Sequence, residues 1–389
     1  MSERIALLVI GGGPAGLAAA RAYREANGAG VVAIITDEHR MPYQRPPLTK
    51  ELLRGEADEG ELPIEAETWL QEHRVRLVSG RAVSLDSNER TVALSGGRTL
   101  AYEQCLVATG AEPTRLPVPG ADDPAVRVLR TIGDLRELNA RLHRGTAVAV
   151  IGSGFIGCEI AASLRHRGHL VTMLTDEPAP NCRRLGAEAA TRIAEWLGAD
   201  GVKLHCGEAV DAIERADGTL TVSTGGARVR AGVVVMAAGV APRGELAAAA
   251  GIATDGGVIP VDAGMRTDTE GVLAAGDVCR AYNVTAGREL RVEHWGDALG
   301  QGAVAGETAA GRPAAWGEVP GFWSTIGRRT LKYAAWGDGF DEARCVAHGD
   351  GFTVCYGRDG KLVGVLTHEA DENYERGRES VAQGTPWRH

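Results

Sequence analysis

Short apolar runs and amphipathic helical segments alternate along most of the chain. Residues 5–10, IALLVI, form a continuous apolar run, which is typical of a strand buried on both faces of a parallel sheet. Residues 17–25 follow with a helical pattern, and residues 31–35 form a second apolar run. This strand–helix–strand order predicts a βαβ unit and an α/β fold.

The turn between the first strand and its helix carries three regularly spaced glycines. Residues 9–16, VIGGGPAG, place Gly11, Gly13 and Gly16 in a GxGxxG frame. In such a frame, one glycine allows the tight turn, one lets a pyrophosphate approach and one packs helix against strand. The second strand ends at Asp37, where a ribose-binding acid is expected. This spacing predicts a dinucleotide site; the alternative is a glycine-rich turn without a ligand.

The same pattern recurs 141 residues later in the chain. Residues 149–168, AVIGSGFIGCEIAASLRHRG, place Gly152, Gly154 and Gly157 in an equivalent frame. The strand that follows ends just before Asp176. Two such units predict two dinucleotide sites, and this combination favours one bound flavin and one exchangeable nicotinamide coenzyme, with hydride passing between them.

Strands that end in small residues occur at three further places. They are residues 104–110 (QCLVATG), 233–239 (VVVMAAG) and 271–279 (GVLAAGDVC). Small residues at a strand end let the backbone pass close to a ligand. In the third segment, Asp277 is suited to accept hydrogen bonds from a ligand hydroxyl; the alternative is an ordinary helix N-cap.

A proline-rich segment, residues 41–50 (MPYQRPPLTK), follows the first nucleotide unit. Its three prolines predict a rigid loop and exclude regular structure. The loop brings Arg45 and Lys50 close after the nucleotide strand. Residues 51–76 predict helical segments.

The composition changes from about residue 311 onward. Three strands are predicted at residues 344–347, 352–356 and 362–366, joined by Gly-Asp-Gly and Arg-Asp-Gly turns. Residues 369–383 predict a final helix. This segment is expected to be a small α+β unit that covers another domain or forms an interface.

The net charge and the cysteine pattern argue against several classes of protein. The 389 residues carry 42 basic and 51 acidic side chains, a net charge of −9, which argues against a general nucleic-acid binder. No apolar run approaches the roughly 18 residues of a membrane span, and the N-terminus lacks the features of a signal peptide. The seven cysteines are scattered without a CxxC pair, so we expect reduced thiols, no metal site and a cytoplasmic protein.

In chain order, the motifs GGGPAG, PYQRPPLTK, ATG, GSGFIGCE, AAG, AAGD and EHW resemble those of the pyridine-nucleotide flavoprotein oxidoreductases. The most similar members are the ferredoxin and rubredoxin reductases that supply bacterial oxygenases and cytochromes P450, a type exemplified by putidaredoxin reductase. The apoptosis-inducing factor flavoproteins share the pattern. The resemblance covers nearly the whole chain.

The resemblance implies an α/β fold with two Rossmann-like dinucleotide-binding domains, one for FAD and one for NAD(P), plus a small α+β C-terminal domain. The FAD-binding domain would be discontinuous, comprising residues 1–113 and 240–312. The NAD(P)H-binding domain would span residues 114–239, and the C-terminal interface domain residues 313–389.

The resemblance also assigns cofactor contacts position by position. Contacts to FAD would come from the first glycine turn, the proline-rich loop and the later motifs: Gly11, Gly13, Pro14, Ala15, Gly16, Asp37, Arg45, Lys50, Thr109, Gly110, Arg130, Gly276, Asp277, Glu293, His294 and Trp295. The nicotinamide dinucleotide would be bound by the second turn and its helix: Gly152, Gly154, Phe155, Ile156, Gly157, Glu159 and Asp176. A further cofactor contact is expected at Gly239.

Two of these residues are implied to be catalytic. Lys50 would lie beside the flavin, and Glu159 would point toward the nicotinamide and pair with Lys50. The alternative for Glu159 is a carboxylate that only complements a helix N-terminus. Related disulfide reductases carry cysteines within the segment that corresponds to residues 37–70, but this chain has none there, which argues against a thiol relay.

The second unit departs from the resemblance at the end of its second strand, because Thr175 stands where the family usually has an acid. Asp176 follows it, so NADH is expected. NADPH stays possible, since Arg183 and Arg184 lie nearby in the sequence and are suited to meet a 2′-phosphate; the alternative is a solvated arginine pair.

The resemblance implies electron transfer from NADH, through FAD, to a ferredoxin or rubredoxin, by a monomer or homodimer with no nucleic-acid or membrane partner. Arg328, Arg329 and Lys332 form a basic cluster that is suited to meet an acidic ferredoxin, or else is a solvated face. Two other functions stay open: a redox switch that acts through partner binding, and direct reduction of a small acceptor such as a quinone or oxygen.

Overall fold

The computed structural model describes residues 4–387 of the chain. Its α-helices are Pro14–Glu25 (α1), Glu51–Arg54 (α2), Glu67–Glu72 (α3), Ile132–Asn139 (α4), Phe155–His166 (α5), Cys182–Ala199 (α6), Glu245–Ala249 (α7), Trp295–Ala309 (α8) and Asp371–Ala382 (α9). Short 3₁₀ helices occur at Pro46–Thr49 and Glu59–Glu61.

The strands are Ile5–Ile10 (β1), Val32–Thr36 (β2), Val75–Ser79 (β3), Ala82–Asp86 (β4), Thr91–Leu94 (β5), Thr99–Val107 (β6), Ala111–Pro113 (β7), Val126–Arg127 (β8), Ala147–Ile151 (β9), Leu170–Thr175 (β10), Lys203–Cys206 (β11), Val210–Ala216 (β12), Thr219–Thr224 (β13), Arg228–Ala231 (β14), Val233–Met236 (β15), Val240–Pro242 (β16), Ile259–Val261 (β17), Val272–Ala274 (β18), Cys279–Asn283 (β19), Arg288–Arg291 (β20), Gly321–Ile326 (β21), Arg329–Ala335 (β22), Glu342–His348 (β23), Gly351–Arg358 (β24) and Lys361–His368 (β25).

The first sheet is built around β1, whose six residues are all buried. Its strand order is β3-β2-β1-β6-β5-β4, with β18 also paired to β6. Strands β1, β2, β3, β6 and β18 are parallel to one another, and β5 and β4 add an antiparallel extension beside β6. Strand β18 pairs with β6, so the chain re-enters the first sheet after it has formed the second nucleotide unit.

The second sheet has the order β11-β10-β9-β15-β8 and is parallel throughout. A three-stranded antiparallel sheet, β12-β13-β14, lies in the same part of the chain. Each parallel sheet contains the strand that leads into one of the two glycine turns, as expected for buried βαβ units. The α/β prediction with two Rossmann-type units is therefore confirmed.

The C-terminal sheet is antiparallel, with the order β21-β22-β25-β24-β23, and helix α9 packs on it. The sequence predicts only the last three of these strands. Strand β21 includes Ser324, which is polar but 1% exposed because its hydroxyl bonds a carboxylate on α5. A local hydrophobic pattern does not encode such a distant contact, and this explains why the sequence does not predict β21.

Three other sequence predictions need correction at their boundaries. Helix α1 begins at Pro14 rather than residue 17, because proline at the first helical position loses no hydrogen bond. The predicted helical stretch 51–76 is broken, since α2 ends at Gly55 in a left-handed conformation. The proline-rich loop contains one turn of 3₁₀ helix.

No helix within residues 4–387 combines the length and apolar character that crossing a membrane requires. In the same range, no group of three or more His, Cys, Asp or Glu side chains is placed to hold a metal ion.

Helix α8 packs directly against α1, the helix opened by the first glycine turn. A Cβ at Gly302 would overlap the carbonyl oxygen of Ala15, and a Cβ at Gly306 would overlap that of Ala19. The two helix backbones are therefore in contact, and only glycine fits at these two positions of α8.

We expect Gly302→Ala to destabilise the protein by about 1–3 kcal/mol, because the added methyl group forces the two helices apart. Thermal unfolding, followed by circular dichroism, measures the shift. Gly300→Ala is the matched control, since a Cβ there meets nothing within 4 Å; it should stabilise the helix by about 0.5–1 kcal/mol. Equal unfolding midpoints for the two variants would contradict the proposed helix contact.

Candidate active site

A cavity of about 1500 Å³ lies between the two glycine turns. Gly13 of the first turn and Gly154 of the second both line it, as do Lys50 of the proline-rich loop and Phe322 of β21. Typical pockets for one small ligand measure roughly 300–1000 Å³. The cavity therefore has room for more than one large ligand.

The three glycines of the first turn have different tasks. Gly11 has φ +126°, and a Cβ there would overlap the carbonyl oxygen of Ala108. A Cβ at Gly16 would overlap the Gly11 carbonyl oxygen, so Gly16 permits close packing of α1. At Gly13 a Cβ would meet nothing within 4 Å, so this position is open toward the cavity.

The second turn repeats this division of tasks. Gly152 has φ +100° and lies against the Ala237 carbonyl oxygen, and Gly157 lies against the Gly152 carbonyl oxygen. A Cβ at Gly154 would meet nothing within 4 Å. Gly13 and Gly154 therefore leave space for a pyrophosphate beside the N-termini of α1 and α5, where free N–H groups favour anions.

Lys50 and Glu159 form an ion pair in the wall of the cavity. Lys50 Nζ lies 2.9 Å from Glu159 Oε2, and the two residues are 5% and 2% exposed. Glu159 Oε2 also accepts a hydrogen bond from the Thr49 hydroxyl at 2.5 Å. Glu159 Oε1 accepts from the Ser324 hydroxyl at 2.7 Å and from the Thr325 N–H at 3.3 Å. These contacts compensate for burying the carboxylate.

The predicted pairing of Lys50 with Glu159 is therefore present. A carboxylate that only complements the N-terminus of α5 would not need these partners, so the simpler alternative does not account for Glu159. Sequence reasoning missed Thr49, although it lies next to Lys50 in the loop. It also missed Ser324, for which no local signal exists because β21 itself was not predicted.

Arg45 and Arg130 link the first nucleotide unit to the segment that enters the second. Arg45 Nη2 lies 2.6 Å from Glu38 Oε1, and its Nη1 donates to the Arg130 carbonyl oxygen at 2.9 Å. Arg130 Nη2 lies 2.7 Å from Asp277 Oδ2. The structure thus brings three predicted cofactor contacts together. Asp277 is followed by strand β19, so the helix N-cap alternative is wrong.

The strands β2 and β10 are each followed by an Asp-Glu pair. Asp37 lines the cavity and lies 3.8 Å from Arg243, a lining residue that the sequence analysis missed. In the second unit, Glu177 lines the cavity, whereas Asp176 lies on the exposed surface outside its wall. Asp176 is linked to the cavity through Arg183, whose Nη2 lies 2.8 Å from Asp176 Oδ2, so its contact with the coenzyme stays a prediction.

Aromatic rings form one side of the cavity. The Phe322 ring centroid lies 4.5 Å from that of Phe155 and 4.6 Å from that of His294. His294 Nδ1 lies 3.2 Å from Asp297 Oδ2, which also accepts the Gly321 N–H at 3.2 Å. Asp297 therefore fixes the imidazole ring and attaches β21 to α8.

Most of the remaining predicted contacts also line the cavity: Pro14, Ala15, Thr109, Gly110, Ile156, Gly239, Gly276, Glu293 and Trp295. Gly16, Gly152 and Gly157 lie behind its wall and act through close packing.

The cysteines are all free thiols. Burial raises the pKa of the Cys279 thiol to about 12 and raises the pKa of Cys158 as well, so both stay protonated and unreactive. Among the residues that the structure describes, no cysteine lines the cavity.

The predicted basic cluster is largely neutralised by acidic partners. Arg329 Nη1 lies 3.1 Å from Asp200 Oδ2, and Lys332 Nζ lies 2.8 Å from Asp371 Oδ1. Arg328 is exposed. These charges do not combine into a strong positive patch.

Two nucleotide-type turns that share one cavity define a two-dinucleotide oxidoreductase. The chain belongs to the pyridine nucleotide-disulphide oxidoreductase family, whose model matches residues 5–302. Members of this family use FAD and NAD(P)H, and the two open glycine positions fit both groups.

The chain is similar to individual proteins over most of its own length and most of theirs. The chain is 33% identical to rhodocoxin reductase of Rhodococcus erythropolis over 341 residues. This match covers 87% of this chain and 79% of that protein. It is 35% identical over 320 residues to the ferredoxin–NAD(+) reductase component of the anthranilate 1,2-dioxygenase system of Burkholderia cepacia. This match covers 82% of this chain and 78% of that protein. The crystal structure of a ferredoxin reductase from Rhodopseudomonas palustris matches with a TM-score of 0.90 and 31% sequence identity. The match covers 95% of this chain and 93% of that chain.

We expect Gly13→Ala and Gly154→Ala to separate the two cofactor sites. A methyl group at Gly13 would occupy space beside α1 and weaken FAD retention by roughly tenfold, or about 1.4 kcal/mol. A methyl group at Gly154 should leave FAD bound but weaken NADH binding to a similar degree. Flavin absorbance of the purified protein and anaerobic NADH titration measure the two effects.

Gly198→Ala, on α6, is the control for both variants, since a Cβ there also meets nothing within 4 Å. A Kd for FAD in Gly13→Ala equal to that of the control, measured by titrating the apoprotein with FAD, would contradict the assignment of the two turns, as would lost flavin in Gly154→Ala.

Proposed function

We propose that this protein takes electrons from NADH through bound FAD and passes them to a small iron–sulfur protein of the ferredoxin or rubredoxin class, to supply an oxygenase or a cytochrome P450. The observation that carries the proposal is the single cavity between two glycine turns, with the buried Lys50–Glu159 pair in its wall. The similar proteins named as ferredoxin and rhodocoxin reductases support the choice of acceptor.

The proposed domain boundaries follow the sheets. Residues 1–113 and 240–312 would form the FAD-binding domain, because β18 pairs with β6 of the first sheet. Residues 114–239 would form the NAD(P)H-binding domain around the second sheet. Residues 313–389 would form the C-terminal domain, whose strand β21 contributes to the cavity wall.

The residues that would hold FAD are arranged along the first unit. The open N-terminus of α1 at Gly13 offers N–H groups and a positive helix-dipole end to the pyrophosphate. Asp37 would bind the adenosine ribose, while Arg45, Arg130 and Asp277 place charged groups along the cavity. When bound, FAD would supply the redox chemistry of the site, that is, two-electron exchange with a nicotinamide and one-electron exchange with an acceptor.

Lys50 places a fixed positive charge beside the reacting groups. Its Nζ is held between Glu159 and the Pro46 carbonyl oxygen, which accepts a hydrogen bond at 2.9 Å. A preorganised charge in a site with little water stabilises negative charge that develops during reaction. Glu159 keeps this ammonium group oriented, and Thr49 and Ser324 keep Glu159 in place.

The aromatic wall excludes water and positions the nicotinamide. Phe155 begins α5 directly after the open Gly154 position, and Phe322 packs against it from the C-terminal sheet. Holding two reacting groups in a fixed, water-poor arrangement lowers the barrier to their reaction.

The acceptor is tested by reoxidation. The purified holoprotein is reduced anaerobically with one equivalent of NADH, and the return of flavin absorbance is followed after adding a two-iron ferredoxin, a rubredoxin or air. Rapid reoxidation by either iron protein and slow reoxidation by air support the proposal. Slow reoxidation by all three would contradict it and favour the redox-switch function, whereas rapid reoxidation by air alone would favour direct reduction of oxygen.

We expect Glu159→Gln to retain FAD but to slow flavin reduction by NADH by at least about tenfold, because Lys50 loses the countercharge that orients it. Stopped-flow absorbance under anaerobic conditions measures the rate. Glu208→Gln is the control, since Glu208 also accepts bonds from a hydroxyl and a backbone N–H but lies outside the cavity. A reduction rate in Glu159→Gln equal to that of the control would contradict the role of the pair.

A further inference from the structure

We propose that Tyr356, on the C-terminal sheet, is a positioning residue for the nicotinamide coenzyme. It holds in place the first turn of α6, residues 182–185, which we call the rim turn because it forms part of the edge of the cavity. This inference rests on the proposed function, since it concerns the site where NADH would bind. The C-terminal segment has no nucleotide motif of its own, so the contact is visible only in the structure.

The rim turn lies between two residues with positive φ. Arg183 and Arg184 of the turn line the cavity, and so does Asn181, which precedes it. Asn181 has φ +59°, and Gly186, which follows the turn, has φ +79°. The turn is therefore a short piece of helix that is set off from the backbone on both sides.

Gly186 breaks α6 directly after the rim turn. Its φ of +79° and ψ of 171° lie in a region that essentially only glycine adopts. Helical geometry therefore does not continue from the body of α6, residues 187–199, into the rim turn. Backbone conformations of this kind persist where the surrounding structure holds them, and they are frequent at ligand sites. The position of the rim turn thus depends on contacts from outside α6.

The C-terminal sheet supplies these contacts at the break. The Tyr356 hydroxyl, on β24, donates to the Leu185 carbonyl oxygen at 2.9 Å, and both residues are 1% exposed. Carbonyl groups at the end of a helical turn lack partners within the helix, so a donor from another segment stabilises that end. The Phe340 ring centroid lies 4.7 Å from that of Tyr356, and a Cβ at Gly186 would lie 3.0 Å from the Phe340 ring. Tyr356 and Phe340 therefore hold the break in α6 from one side.

The body of α6 is fixed to the same sheet. The Trp196 ring centroid lies 4.8 Å from that of His368 and 6.0 Å from that of Phe352. The Arg192 guanidinium carbon lies 4.7 Å from the Phe352 ring centroid, in a cation–π contact. The sheet is thus the common support for both parts of α6, and Tyr356 is the residue through which this support reaches the rim turn.

Loss of the Tyr356 hydroxyl would loosen the rim turn and leave the Lys50–Glu159 pair with all of its own partners. A binding surface that is correctly placed only part of the time has an affinity that is lower in proportion to that time. The rate of flavin reduction at saturating NADH does not depend on this fraction in the same way. A positioning role therefore predicts a weaker affinity for the coenzyme with an unchanged limiting rate.

The test measures affinity and limiting rate separately, without an electron acceptor. Anaerobic stopped-flow reduction of the holoprotein at increasing NADH concentrations gives a Kd and a rate at saturation. We expect Tyr356→Phe to raise the Kd about threefold to tenfold and to leave the limiting rate and the FAD content unchanged. Tyr23→Phe is the control, because the buried Tyr23 also donates to a backbone carbonyl oxygen, that of Ala29 at 2.7 Å, outside the cavity wall. The control should keep the wild-type Kd.

Gly186→Ala is a second variant that acts on the other side of the same contact. The added methyl group meets the Phe340 ring, and alanine does not favour the backbone conformation at this position, so the Kd for NADH should rise to a similar degree. Gly198→Ala, in the body of α6, is its control, since a Cβ there meets nothing within 4 Å.

Hydrogen exchange gives a readout that is independent of electron transfer. In the oxidised holoprotein, the amides of residues 181–186 should exchange faster in Tyr356→Phe than in the wild type, whereas those of residues 190–199 should not change. An unchanged Kd for NADH in Tyr356→Phe, unchanged exchange in the rim turn, or a lower limiting rate at an unchanged Kd would overturn the inference. Failure of the reduced wild-type protein to pass electrons to an iron–sulfur protein, with the Kd and exchange differences intact, would instead overturn the proposed function and leave this inference standing.

Discussion

The buried ion pair between Lys50 and Glu159 is the contact that assembles the site. Removing a charge from water costs several kcal/mol unless a partner and hydrogen bonds replace the lost solvation. The partners come from segments far apart in the sequence: Lys50 and Thr49 from the proline-rich loop, Glu159 from α5, and Ser324 from β21. Because neither charge is stable alone, the loop, the second nucleotide unit and the C-terminal sheet have to meet at one point.

The two glycine turns have the same local arrangement. In each turn the first and third glycines are required by the backbone that packs against them, whereas a Cβ at the middle one would meet nothing within 4 Å. The helix N-termini are thereby aimed at a common space from two different sheets. Helix α8 then holds α1 through a glycine contact, so the orientation of the first turn depends on a segment nearly 300 residues away in the chain.

The sequence predicted what depends on local spacing and missed what depends on distant contacts. Buried strands such as β1, and the turn at Gly11, follow from apolar runs and from steric limits on φ, so they were predicted correctly. Ser324 and the strand that carries it were missed, because a buried polar residue has no apolar signature until its carboxylate partner is known. Glu177, which lines the cavity, was not predicted, since spacing locates the end of a strand only to within a residue and does not determine which side chains face the cavity.

The two edge strands of the C-terminal sheet differ in burial and in what they contact. Strand β21 is attached to the second nucleotide unit through Ser324 and Glu159, and to α8 through the Gly321 N–H and Asp297, whereas β23 at the opposite edge is mostly exposed. Substitutions at β21 are therefore expected to disturb the cavity more than substitutions on β23. The sheet can therefore diversify its outer strand over evolution, and so acquire new surface properties, while the inner strand keeps the redox centre unchanged.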